Sequence, residues 1–272
     1  MNKLQFLNKI GIVFLSTAML SISSCDIIDP FLNPQGTECL LIKTTYSIPD
    51  GTASTNTGFE YDSSDKLVEV KRIQGDLSSD TFIERWEISY SNDQVDRIRS
   101  FTKFQSDPEE DNEDYRFFYK GNLPDSIAYV REGVYNLTGY LIATYTNDQL
   151  TRLVDYRYKP LDSTYFVYNT SNLEWSGNNL KKITSLNVNG EQTTEELEYD
   201  NKKSPLSCLG LAFSSYGSLV MLSSNNVTQS KKTIWDGTLR TTSFVYTYLS
   251  SDYPKSCKPS NDNATNFQYR CN

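Results

Sequence analysis

The chain reads as an all-β protein: a long antiparallel meander of β-hairpins forming a curled or rolled sheet, with one short helix near 204–213. Three observations predict this. Apolar and polar residues alternate in segments such as Trp86 to Tyr90 and Leu197 to Tyr199, and a period of two puts one set on one face of a strand. Aromatic-led segments recur about every 24–30 residues, the mark of a repeated supersecondary unit. The pairs Asn189-Gly190 and Asp236-Gly237 separate alternating runs, and such pairs are strong two-residue hairpin signals.

The N-terminal segment predicts location. Lys3 and Lys9 precede or flank an apolar run, Ile10 to Leu20, and small residues lead into Cys25. That order is a secretory signal peptide, and the run is too short for a permanent transmembrane helix. Residues 1–24 are therefore expected to be a lipoprotein signal and Cys25 the lipidated residue. Residues 25–36, with Asp26, Asp29, Pro30 and Pro34, read as a tether. Residues 37–272 are expected to form a single β-meander domain.

Within that domain, Tyr90 to Ile98 and Tyr145 to Leu153 share Tyr, Asn, Asp, Gln and Arg at the same places, and Trp175 to Ile183 is a third copy. In each, apolar residues stand five and eight positions after the aromatic. Looser copies start at Tyr61, Tyr119 and Tyr199. The unit reads as a strand arriving at the aromatic, a tight turn of Asn, Asp or Gly, and a strand leaving it. Two apolar residues three apart do not share a face of a regular strand, so a bulge there, or modest burial on both faces, is expected. Arg131 to Gly133 and Lys159 to Asp162 read as further turns. Ser204-Pro205 reads as a helix start, with proline at the first helical position.

These residues carry a resemblance. Tyr61-Asp62, Tyr119 to Leu123 and Tyr199 to Leu206 look like YD (RHS-type) repeats. The ordered set, with Asn225-Asn226-Val227 and Tyr253-Pro254, is similar to Bacteroidota lipoproteins of unknown function over roughly residues 37–272. The resemblance implies a hairpin fold and an outer-membrane, surface-facing location. It carries over no reaction and no functional residue. Ser, Thr or Lys replaces Asp after several aromatics here.

Composition narrows function. The net charge is −8, and removing the two lysines of the signal makes it about −10; that balance disfavours nucleic acid and anionic lipid surfaces. No histidine occurs, which removes the usual general base, the Ser-His-Asp and Cys-His arrangements and nearly all catalytic zinc sites. No enzyme activity, cofactor or metal is expected. The acidic run Asp107 to Asp114 lacks the glycine and spacing of a calcium loop; it is read as a wet hairpin loop between strands ending near Phe104 and starting near Tyr115.

Cys39, Cys208, Cys257 and Cys271 permit two disulfides or four buried thiols. Cys257 with Cys271 is suited to join the last two strands, which leaves Cys39 with Cys208. Trp86 and Trp175 occupy equivalent repeat positions and read as core, whereas Trp235 beside Asp236-Gly237 is the exposed candidate for stacking on a ligand. The expected function is a non-catalytic surface module that binds a glycan or an envelope protein. The alternatives are a scaffold in an outer-membrane complex, or a lipid carrier if the sheet encloses an apolar half-barrel.

Overall fold

The computed structural model describes residues 39–47, 54–74, 84–103, 110–131, 137–207 and 219–271. The expected signal, Cys25 and the tether lie outside the described residues. So does Cys208.

Sixteen strands are described: β1 (Cys39–Ser47), β2 (Ser54–Tyr61), β3 (Leu67–Gln74), β4 (Glu84–Ser91), β5 (Gln94–Thr102), β6 (Glu110–Lys120), β7 (Leu123–Arg131) and β8 (Leu137–Thr146). They continue as β9 (Gln149–Lys159), β10 (Thr164–Ser176), β11 (Asn179–Asn187), β12 (Gln192–Lys203), β13 (Asn225–Thr233), β14 (Leu239–Tyr248), β15 (Pro254–Pro259) and β16 (Thr265–Cys271). Each pairs antiparallel with the next, and β16 pairs with β1 to close a barrel.

This corrects two expectations. The sheet is neither open, curled nor rolled; it closes on itself. An open meander leaves two rows of unpaired backbone groups, and closure removes both. Cys39 stands opposite Cys271 in the β1–β16 register, and the two form a disulfide. The expected partner of Cys271 is instead a buried free thiol, Cys257. The helix near 204–213 is also absent from the described residues. Ser204 accepts from the Leu206 N–H at 3.4 Å, and its carbonyl accepts from the Ser207 hydroxyl at 2.9 Å. These close one turn at 204–207, and residues 208–218 lie outside the described residues. The short helical element that is described is a 3₁₀ turn, Leu219–Leu222. The acidic run is not all loop either: Glu110 to Asp114 begin β6, Glu113 accepts the Tyr115 hydroxyl in the interior, and Arg97 grips Asp114 through two bonds of 2.7 Å.

The repeat has a clear physical basis. At each repeat aromatic the register shifts by one residue, at Tyr61, Tyr90, Tyr119, Tyr145, Trp175 and Tyr199. The extra residue, for example Asp96 between Val95 and Arg97, lies on the leaving strand. This bulge lets Val95 and Ile98 both enter the core, as Leu180 and Ile183 do in the third copy. Asn92-Asp93 and Asn147-Asp148 have positive φ at both positions, the backbone that matches strand twist in a two-residue hairpin.

Four of these aromatics also tie their hairpin to the one before. Tyr61 donates to the Leu41 carbonyl, Tyr90 to Leu67, Trp175 to Leu150 and Tyr199 to Leu180, at 2.6–2.9 Å. The residue just before the first inward apolar position reaches the next turn: Gln94 to the Gly121 carbonyl and Gln149 to that of Gly177. Tyr199 also bonds Ser223 at 2.8 Å, and burial pushes its hydroxyl pKa up to about 12. Tyr199→Phe leaves a buried carbonyl short of its donor. It is expected to cost about 1–2 kcal/mol, read as a lower urea midpoint at unchanged slope.

The two walls differ in chemistry. The interior holds one main apolar cluster, with Leu67, Trp86, Ile98, Phe117, Leu173 and Leu197 among its members. The outer wall over the first strands is charged at mid-height. Glu69, Glu87, Arg99 and Asp114 are successive register partners across β3 to β6, and Glu198–Lys231 forms an ion pair on the far side. A membrane-spanning barrel presents an apolar band outward, where a charge at the midplane costs about 2–4 kcal/mol. Here the outer wall carries those charges together with scattered exposed apolar side chains such as Phe118, Val130, Leu186 and Val245.

Candidate binding site

One arc of the outer wall carries a cluster of aromatic rings. On β8, β9 and β10 the register places Tyr140 beside Tyr156, Tyr156 beside Val167, and Tyr158 beside Tyr165. All face outward, because the alternate positions Gly139, Leu141, Asp155 and Arg157 face in. The rings touch. Tyr140 and Tyr156 stack at 4.8 Å and 13°, Tyr165 meets Tyr140 edge-on at 5.0 Å, and Tyr158 lies 5.2 Å from Tyr165. Tyr165 and Val167 are 47% and 44% exposed. Four tyrosines so arranged form a platform with apolar faces and wet hydroxyl tips.

The wall behind the platform is fixed. The Tyr129 hydroxyl donates to Asp155 at 2.7 Å, and Arg157 Nε donates to the other Asp155 oxygen at 3.2 Å. The Arg157 guanidinium lies over the Tyr168 ring, 3.1 Å from its centroid. Burial, then the bond to Asp155, raises the Tyr129 pKa far above that of a free phenol. Tyr129 also sits where a Cβ on Gly139 would point, so glycine there lets the ring lie flat under β8.

Trp86 is buried and Trp175 packs against the core. Trp235 is 62% exposed, on the turn between β13 and β14 and three strands from β10; the structure does not bring it to the platform. The platform tyrosines were legible only in part from sequence. Tyr156 and Tyr158 stand at a period of two just before the turn at 159–163, with Tyr165 and Val167 just after it. That pattern marks two strands with a shared aromatic face, and its orientation depends on the closure.

No protein-family model matches the chain, and no curated protein matches it. Among solved structures the barrel is similar to a porin-like protein from Bacteroides uniformis, with a TM-score of 0.55, 13% identity, and coverage of 86% of this chain and 98% of that one. A protein of unknown function from Bacteroides fragilis matches 45% of this chain and 94% of its own at 13% identity and a TM-score of 0.34. The first likeness shows the barrel fold.

Proposed function

We propose that this protein is a non-catalytic binding module of the cell envelope, anchored through lipidated Cys25, and that it holds a glycan on the tyrosine platform. The observation that carries the reading is the partly exposed, mutually packed tyrosine cluster on the outer wall of the barrel. Flat aromatic faces stack on sugar rings, and the hydroxyl tips offer hydrogen bonds at the edge. The signal-like N-terminus and the barrel likeness to a porin-like protein support an outer-membrane or other envelope location. The lack of histidine favours binding over chemistry. A scaffold that works by strand pairing is less well supported, because a closed barrel offers no free edge.

The test is thermal stability against a panel of host and plant polysaccharides. A ligand that binds the folded state at a hundredfold excess over Kd stabilises by about 2.7 kcal/mol, which for a chain of this size raises Tm by about 5–10 °C. The expected result is a saturable shift with one glycan class, lost in Tyr156→Ala and kept in Trp235→Ala. A shift lost only in Trp235→Ala would move the site to the β13–β14 turn. No shift with any glycan would overturn the reading in favour of a protein partner.

A further inference from the structure

The platform leaves the interior unexplained. Inside the wall formed by β12, β13, β14 and β16, the lumen holds a cavity of about 730 Å³, within the range of pockets that enclose a small organic ligand. Its lining is graded. Apolar side chains form the floor: Met221 and Val220 from the 3₁₀ turn, with Val227, Phe244 and Phe267 from the strands. Towards the opposite end, by the turn that joins β13 to β14, the lining becomes polar and cationic. Lys232 and Arg240 stand there as direct register partners.

Two cations placed side by side across strands repel each other, and their neighbours compensate them only in part. Glu195, which also lines the cavity, is the register partner of Lys232 on its other side, but its carboxylate turns to the Ser230 hydroxyl at 2.6 Å and forms no ion pair with Lys232. Asp236 feels the charge of Arg240, but it accepts the Thr238 N–H at 2.8 Å. Neither cation enters an ion pair among the described residues. A group that bridged both would relieve the repulsion while its apolar part filled the floor.

We infer that the lumen binds an amphipathic anion, an alkyl chain bearing one carboxylate, with the chain against Phe244, Phe267 and Met221 and the head group between Lys232 and Arg240. This site is separate from the tyrosine platform.

Calorimetry with the full chain carrying Cys25→Ser, so that no acyl anchor competes, tests it. The probes are dodecanoate and dodecyltrimethylammonium, which share a tail and differ in charge. The expected result is saturable 1:1 binding of dodecanoate, at least about tenfold tighter than the cationic probe. The exposed double variant Lys232→Gln/Arg240→Gln is expected to weaken dodecanoate by about tenfold or more and leave the cationic probe no weaker. Tyr156→Ala is expected to bind dodecanoate unchanged, which separates this site from the glycan site. No binding of dodecanoate, equal affinity for both probes, or unchanged affinity in the double variant would each overturn the inference.

Discussion

Replacing both partners of the closing disulfide, as Cys39→Ser/Cys271→Ser, is expected to lower stability by about 2–4 kcal/mol. The bridge spans 232 residues of sequence, so it constrains the unfolded chain over nearly the whole domain, and that constraint grows with loop length. It also pins the seam, where β1 and β16 bring the two ends of the described chain together. For a chain of this size the loss corresponds to a fall in Tm of about 5–15 °C. Cys257→Ser supplies the contrast. Cys257 is a buried free thiol, so its loss is expected to cost about 1 kcal/mol and to leave non-reducing mobility unchanged. A Cys257–Cys271 bridge, the pairing suggested by sequence proximity, would be lost in both variants, and Cys257→Ser would then cost about as much as the double variant.

The second large effect is at Gly139. A Cβ there would clash with the Tyr156 carbonyl oxygen and come within 2.5 Å of the Tyr129 ring. The tyrosine ring has somewhere to turn only if it gives up Asp155, and the carbonyl belongs to the neighbouring strand's ladder and has nowhere to go. Gly139→Ala is therefore expected to destabilise by about 2–3 kcal/mol, measured by urea unfolding. The same shift would move β8 against β9, and with them Tyr140 against Tyr156. Glycan binding is expected to fall along with stability, whereas Tyr199→Phe, at the tight-turn end of the barrel, is expected to lower stability alone.

Much of the local structure was legible because it is local. Tyr90 to Ile98 states an aromatic, a two-residue turn, and two inward residues three apart, and the bulge follows from that spacing. Asn189-Gly190 and Asp236-Gly237 also mark turns, but as three-residue loops rather than the expected two: only the glycines have positive φ, and the Asn187 and Ile234 N–H groups donate to the Glu191 and Thr238 carbonyls. The closure was not legible, because each hairpin would form equally well in an open sheet. What decides it is the meeting of β1 with β16, a contact between the two ends of the described chain that no local spacing encodes. The disulfide pairing stayed open for the same reason: Cys257 and Cys271 are near in sequence, but Cys271 faces Cys39 across the seam. Ser204-Pro205 signalled a helix start; the local bonds of Ser204 and Ser207 close a turn at 204–207, and the rest of the expected helix lies outside the described residues. The platform fell between these cases. The alternation of Tyr156, Tyr158, Tyr165 and Val167 was visible, but only the closed barrel makes that face the outer one.

The central claim of the proposal is that the barrel is held at the membrane by a lipid on Cys25 and faces water on its outside. The most direct measurement is the fate of the Cys25→Ser variant, which removes the proposed acylation site. The account predicts that it leaves the membrane fraction without detergent, runs as a soluble folded barrel, and gives no conductance in planar bilayers. A variant that stays in the membrane after carbonate extraction, requires detergent and opens steady channels would contradict it.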